Sequence, residues 1–460
     1  MEVFLIRTLQ LIACLSILII VHELGHFLFA RLSGTRVERF YLFFNPGFSL
    51  MRCKKINGRL EFDFLSKNEP ENWKDYPEST VWGLGWLPLG GYCSISGMVD
   101  ETQSLNDLAA EPQPWEFRTK KPFPRLMIMA GGVLFNLLLA FVLYAMVLFV
   151  WGKSYLPLQE MPLGMDYSQP AKEAGFQDGD ILLSADDFQI VQFNDESFRA
   201  VVEAREVKVL RNGDTAIVHV PEHFMQTLMA AKQGFASYRM PSVVKMVLPD
   251  SPAALAGLQE GDSLVAIQGV ITPTFDDFAS RLQLFKDSLV DLEFYRAGVA
   301  LQVQAQLDST AKLGFMAKNP AEIYPVKKIS YSFWQSLPAG VQLAWSKLSG
   351  YSSDMKYVFT KEGAQSLGGF GAIAQMFPKQ WNWRVFWETT AFLAVVLAFM
   401  NILPIPGLDG GHILFLLVEI VTGRKPSDKF LEKAQTVGMF LLILLLIYAN
   451  GNDLIRWLFK

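Results

Sequence analysis

Cysteine is scarce in this chain. The three thiols, Cys14, Cys53 and Cys93, are odd in number and far apart. They build neither a disulfide framework nor a Cys-x-x-Cys metal site. Charge is scarce too: charged residues are 19% of the 460, against 51% hydrophobic. That is below the share of an ordinary soluble domain. A net charge of −4 gives no basic footprint, so no nucleic-acid partner is expected. The apolar excess points instead to several membrane spans beside soluble parts, which makes the lipid bilayer an expected partner. At this length more than one domain is expected.

Histidine is nearly as scarce as cysteine, with five in the chain, and two of them fall in Val21-His22-Glu23-Leu24-Gly25-His26-Phe27. This is an H-E-x-x-H pattern. On a helix His22 and His26 share one face and grip one metal ion, while Glu23 is placed to take a proton from water. The preceding run, Leu11 to Val21, is apolar but for Ser16. The motif therefore lies in a helix long enough to span a bilayer, where ionisable groups are expensive and mark function. The N-terminal stretch lacks the cations and apolar core of a secretion signal, so a retained first span over about 3–30 is expected.

A polar segment follows, with Arg31, Arg36 and Arg39 after the first span and Arg118, Lys120, Lys121 and Arg125 before the next. Cations at span ends favour the cytoplasmic side. Within it, Gly83 to Tyr92 is apolar and Gly-rich but too short to cross. Either a strand or hairpin dipping into the membrane or a buried loop of a soluble unit suits it. Leu126 to Trp151 is the second span, with Asn136 as its polar exception and Gly131-Gly132 allowing another helix close. Phe386 to Leu403 is the third, broken at Pro404 and Pro406. Val437 to Tyr448 lies in the fourth, reaching toward Leu458. Ser330 to Thr360 reads as a helix, either interfacial or packed on a soluble part.

Between about 155 and 318 charges and turn residues return, and the chain repeats itself. Pro170-Ala171-Lys172-Glu173-Ala174-Gly175-Phe176-Gln177-Asp178-Gly179-Asp180 is matched 82 residues later by Pro252 to Asp262, and Phe193 and Phe275 keep the offset. Each copy has a short helix ending at Gly, then a Gly-Asp turn into an apolar strand. The pattern resembles PDZ domains, which bind extended peptides by adding a strand to a sheet edge. His219 and His223 also stand four apart, but Pro221 between them argues for a surface loop.

A catalytic zinc site has three protein ligands and a water, and H-E-x-x-H supplies two. Asp409, beyond the double-proline break in Asn401-Ile402-Leu403-Pro404-Ile405-Pro406-Gly407-Leu408-Asp409-Gly410, is the best third. Glu419 is a rival on a regular helix. His412, one turn after Asp409, is a further candidate ligand or a supporting group.

Together, His22-Glu23-x-x-His26 in a first span, the tandem PDZ-like copies and the Asn401 to Gly410 motif resemble the site-2 protease family, in its bacterial regulator-of-sigma-E protease branch. The resemblance covers nearly the whole chain. It implies a polytopic α-helical membrane protein with about four transmembrane helices and two inserted PDZ-like β-rich domains. The expected parts are 1–154 (first membrane part), 155–236 and 237–318 (PDZ-like domains), 319–384 (amphipathic connector) and 385–460 (second membrane part). It implies an intramembrane zinc (Zn2+) endopeptidase of the bacterial inner membrane, with the PDZ-like pair periplasmic. Its substrates are single-pass membrane proteins, such as anti-sigma factors or signal-peptide remnants, after ectodomain shortening. By motif, His22, His26 and Asp409 are ligands and Glu23 the general base. Asn401 holds the substrate beside Pro404 and Pro406, and Gly90-Gly91 matches the family's membrane-dipping β loop. Glu69 to Val81 looks like an insertion, and Gly369-Phe370-Gly371 replaces a Gly-Pro turn. A silent peptide-binding scaffold and a metal transporter are the alternatives from other classes.

Overall fold

The computed structural model describes residues 2–88, 90–98 and 111–458. The chain divides into two compact units, Met1–Gly152 with Ser330–Lys460, and Lys153–Ile329.

The first unit is mostly helical. Helix α1 spans Glu2–Leu32 and is apolar all round, as a helix surrounded by apolar groups must be. Helix α2 spans Pro122–Trp151, opened by proline at its first position and closed by Gly152 at φ 70°. The two pack at a glycine pair. A Cβ on Gly25 would lie 2.2 Å from the Gly131 carbonyl oxygen. Small residues are what let helices approach this closely in a membrane. A third helix, Trp383–Ile402, starts where the Asn382 side chain accepts from the Val385 N–H. Pro404 and Pro406 stop it, Gly407 turns the chain at φ 96°, and a new helix runs Asp409–Thr422. The last helix is Asp428–Leu458. Four of these helices are long and apolar enough to cross a membrane: α1, α2, Trp383–Ile402 and Lys429–Leu458. Leu134, Leu138 and Val142 on α2 and Phe440, Leu441 and Leu444 on the last helix are exposed, as lipid-facing side chains are.

The Ser330–Thr360 stretch forms a helix over Phe333–Val358, capped by Ser332 and Gln335. It packs in this unit: a Cβ on Gly340 would lie 2.5 Å from the Ala145 nitrogen, and Tyr351 meets Phe392 and Phe399 edge-on.

The polar segment between α1 and α2 folds into a sheet of β1 (Val37–Leu42), β2 (Ser49–Ile56), β3 (Arg59–Ser66), β4 (Val81–Leu84) and β5 (Tyr92–Ile95), ordered β3-β2-β4-β1-β5. The β4 and β5 strands do not pair with each other. Both pair with β1, β4 in parallel and β5 antiparallel, so the Gly83–Tyr92 stretch is not a hairpin. A parallel neighbour needs a crossover, which no local turn signal announces. The Glu69–Val81 stretch buries Trp73 under the sheet, with its carbonyl held by the Lys54 ammonium at 2.7 Å.

The second unit is two β-rich modules. The first carries a four-stranded sheet over residues 181–219 and a two-stranded one joining Met165–Tyr167 to Ala236–Tyr238. The second is a six-stranded sheet with Phe315–Ala317 at one edge. The repeat has a structural cause. Buried Asp180 accepts from the Gln177 N–H and from the Arg211 guanidinium, which also donates to the Gly175 carbonyl. Buried Asp262 does the same with the Gln259 N–H, Arg296 and Gly257. Both Gly-Asp turns are thus locked by a bidentate arginine from a later hairpin. The 82-residue offset does not reach the next helix. Its caps, Asn194 and Thr274, stand 80 apart, so Phe193 precedes its cap and Phe275 follows.

Candidate metal centre

The site forms where α1, α2 and the Asp409–Thr422 helix meet. His22 and His26, one turn apart on α1, turn their rings toward α2. Gly132 makes room for them: a Cβ there would lie 2.5 Å from both His22 Cε1 and His26 Nε2. His26 Nδ1 is 2.9 Å from the Ile128 carbonyl oxygen, which makes it the protonated nitrogen and leaves Nε2 with its lone pair free. The break at Pro404 to Gly407 brings Asp409, at the first turn of its helix, opposite these rings. Gly410 and Gly411 keep the turn tight. Cβ atoms there would fall 2.0 Å from the Leu403 oxygen and 2.7 Å from the Pro406 Cα.

Three donor atoms converge. His22 Nε2 is 3.2 Å from Asp409 Oδ2, His26 Nε2 is 3.4 Å from it, and the two Nε2 atoms are 3.2 Å apart. A tetrahedral zinc ion with bonds of about 2.0–2.1 Å has ligand–ligand edges of roughly 3.3 Å. Asp409 Oδ2 is buried and accepts no hydrogen bond. A buried, unpartnered carboxylate oxygen is costly unless a cation compensates it. Donor type, spacing and orphaned oxygen all suit zinc. Among the described residues this is the one group of His, Cys, Asp or Glu placed to hold a metal ion.

A cavity of about 240 Å³ opens on the donors. Glu23 lines it beside the histidines. Its other walls come from separate elements: Gly91, Tyr92, Cys93 and Ile95 at the β5 edge, Met129 on α2, Asn401 at the end of the third helix, and Gln435 on the last. Asn401 and Gly91 are therefore at the cavity. Gly90 is not among its lining residues, and a Cβ there would meet the Phe44 ring at 2.4 Å. Pro404 and Pro406 do not line it either. Pro406 packs under Gly411 and under Gly438 of the last helix.

The rivals separate. Glu419 is committed to an ion pair with Arg125 at the start of α2 and is not in the donor group. His412 lines the cavity without joining the donors. His219 is exposed on a strand facing Glu206, and His223 precedes a short helix in the left-handed region.

Several of these residues gave no usable sign in the sequence. Cys93, Met98 and Met129 reach the cavity through sheet pairing and helix packing alone. Gln435 had a faint one, a polar residue early in an apolar helix. Asn136 stood out in the second span without a role attached, and Gly132 only as part of a glycine pair that lets another helix close.

The sequence profile of peptidase family M50 matches residues 10–63 and 70–445. A Ralstonia nicotianae protein named "Putative zinc metalloprotease" is 26% identical over 98% of this chain and 99% of its own length. Proteins of the same printed name from Neisseria meningitidis and Borreliella burgdorferi are 25% and 24% identical, over 98% and 96% of this chain and 99% and 97% of their own.

Proposed function

Because the chain belongs to peptidase family M50, the site-2 protease family of membrane zinc metalloproteases, we propose that it cuts single-pass membrane proteins within the bilayer once their ectodomains have been shortened. His22, His26 and Asp409 hold the zinc ion and Glu23 is the general base. The observation that carries this reading is the depth of the donors. His22 stands ten residues from the end of α1, and Gly132 ten from the start of α2. At 1.5 Å per residue both lie about 15 Å inside an apolar helix.

Zinc, when bound, polarises the scissile carbonyl and makes water a nucleophile at neutral pH. The rest is work for side chains. Glu23 takes the proton of the attacking water and passes it to the leaving nitrogen. A spanning substrate helix shields its own peptide bonds, so it must be unwound before it is cut. Asn401 supplies amide donors and acceptors for the freed backbone, and the β5 edge beside Gly91 offers a strand to pair with. The polar cavity admits water that the surrounding apolar helices exclude.

The two β-rich modules read as a PDZ-like pair that governs access and contributes no chemistry. The repeated aspartate–arginine lock and the edge strands Ala236–Tyr238 and Phe315–Ala317 support this reading. The cation bias at the ends of α1 and α2 supports a cytoplasmic placement of the β1–β5 sheet in a bacterial inner membrane, with the modules opposite. The test pairs zinc analysis with cleavage of a single-pass substrate of truncated ectodomain. Glu23→Gln is expected to keep zinc and lose cleavage, and Asp409→Ala to lose both. Full zinc occupancy in Asp409→Ala refutes the ligand assignment.

A further inference from the structure

Asn136 is fully buried in the middle of α2. Its Nδ2 lies 3.1 Å from His22 Nδ1, and its Oδ1 is buried with no partner. An isolated amide at membrane depth is a cost unless both ends are used.

The direction of the His22 ring decides what it needs. Its Nε2 faces His26 Nε2 and Asp409 Oδ2. A neutral imidazole that offers Nε2 to a metal carries its proton on Nδ1, and that proton requires an acceptor. His26 shows the arrangement complete, with Nδ1 on the Ile128 carbonyl. For His22 the group opposite Nδ1 is the Asn136 amide. With Nδ2 pointing inward, two N–H groups would face each other and Oδ1 would stay orphaned. Amide oxygen and nitrogen exchange places by a half-turn about χ2, with little movement of the heavy atoms. After it, Oδ1 accepts from His22 Nδ1–H. Both amide N–H groups are then unpaired, where the other orientation leaves them unpaired together with the ring N–H and the carbonyl oxygen.

We propose that Asn136 is a positioning residue that accepts a hydrogen bond from His22 Nδ1 and so holds that ring in the tautomer and orientation that bind zinc. Helix α2 then supports both histidines, one through a backbone carbonyl and one through a side chain. The inference rests on the ligand reading above.

The test is zinc affinity, measured by chelator competition on the full chain in detergent, with the visible spectrum of the cobalt-substituted protein as a second readout. Asn136→Leu fills similar volume without an acceptor, and is expected to bind zinc 10- to 100-fold more weakly. If the leucine variant does not fold, Asn136→Ala carries the same expectation. Asn136→Asp keeps only the acceptor, and is expected to stay within about threefold of wild type with an unchanged cobalt spectrum. Wild-type affinity in the leucine or alanine variant overturns the proposal. So does an aspartate variant as weak as leucine, since the amide would then act as a donor or as packing. A wild-type protein that binds no zinc would instead overturn the ligand reading beneath it.

Discussion

Gly132→Ala is the smallest change that should destroy this site. The added carbon would stand 2.5 Å from His22 Cε1, 2.5 Å from His26 Nε2 and 2.7 Å from His22 Nδ1. Ordinary contact begins near 3.4 Å, so the rings or the helix must yield by about 0.9 Å, several times the roughly 0.2 Å that metal–ligand distances tolerate. The alternative, parting α1 from α2, is opposed by the close contact between Gly25 and Gly131. The rings therefore move, and zinc affinity should fall at least tenfold, about 1.4 kcal/mol or more. Leu138→Ala, at a lipid-facing position of the same helix, is the control and should leave zinc untouched. Chelator competition and metal analysis on both purified variants supply the comparison. A Gly132→Ala protein that holds one zinc per chain with wild-type affinity would show that the rings do not lean on α2 as described.

Three further outcomes are expected. Arg125→Ala or Glu419→Ala breaks a buried ion pair and should cost about 3–5 kcal/mol of stability by thermal unfolding, with zinc content of the folded fraction unchanged; zinc loss confined to Glu419→Gln would return that residue to the ligand set. Burial alone would raise the Asp262 carboxyl, but the Arg296 guanidinium and the Gln259 N–H outweigh it and hold it below the usual range. A depressed carboxyl stabilises above its unfolded value and loses that stability as pH falls through its folded one, so Asp262→Asn should lower stability at neutral pH and flatten the acid limb below about pH 4; an unaltered limb would refute the lock. In a chain with Cys53→Ser, a cysteine at exposed Thr215 should label from outside the inner membrane of intact cells, and labelling only after lysis would reverse the proposed topology.

The legible parts of this protein were the local ones. The spacing of His22 and His26 sets one ring above the other on any helix. Leu11 to Val21 and Leu126 to Trp151 declare apolar helices by length alone. Pro404 and Pro406 end the third helix wherever it packs, and the two Gly-Asp turns marked repeated modules before their strands were known. Each follows from the chain's own backbone geometry within a few residues, which is why sequence spacing carries it.

What remained was decided by groups far apart in the chain. Asp409 stood ahead of Glu419 and His412 because it follows the double-proline break, but all three are polar groups in one apolar run. Packing separates them, because Arg125 claims Glu419 while the turn at Gly407 swings Asp409 to within 3.2 and 3.4 Å of the two rings. The role of Gly132 exists only because α1 lies against α2. The parallel pairing of β1 with β4, and the delivery of Tyr92 and Cys93 to the cavity, depend on a crossover that no turn residue encodes. By itself the sequence determined which helices form, where they break and which chemistry they carry. How Asp409 reaches the histidines, what claims Glu419 and what supports the rings were left to tertiary packing, because those contacts join residues more than a hundred positions apart and no periodicity spans that distance.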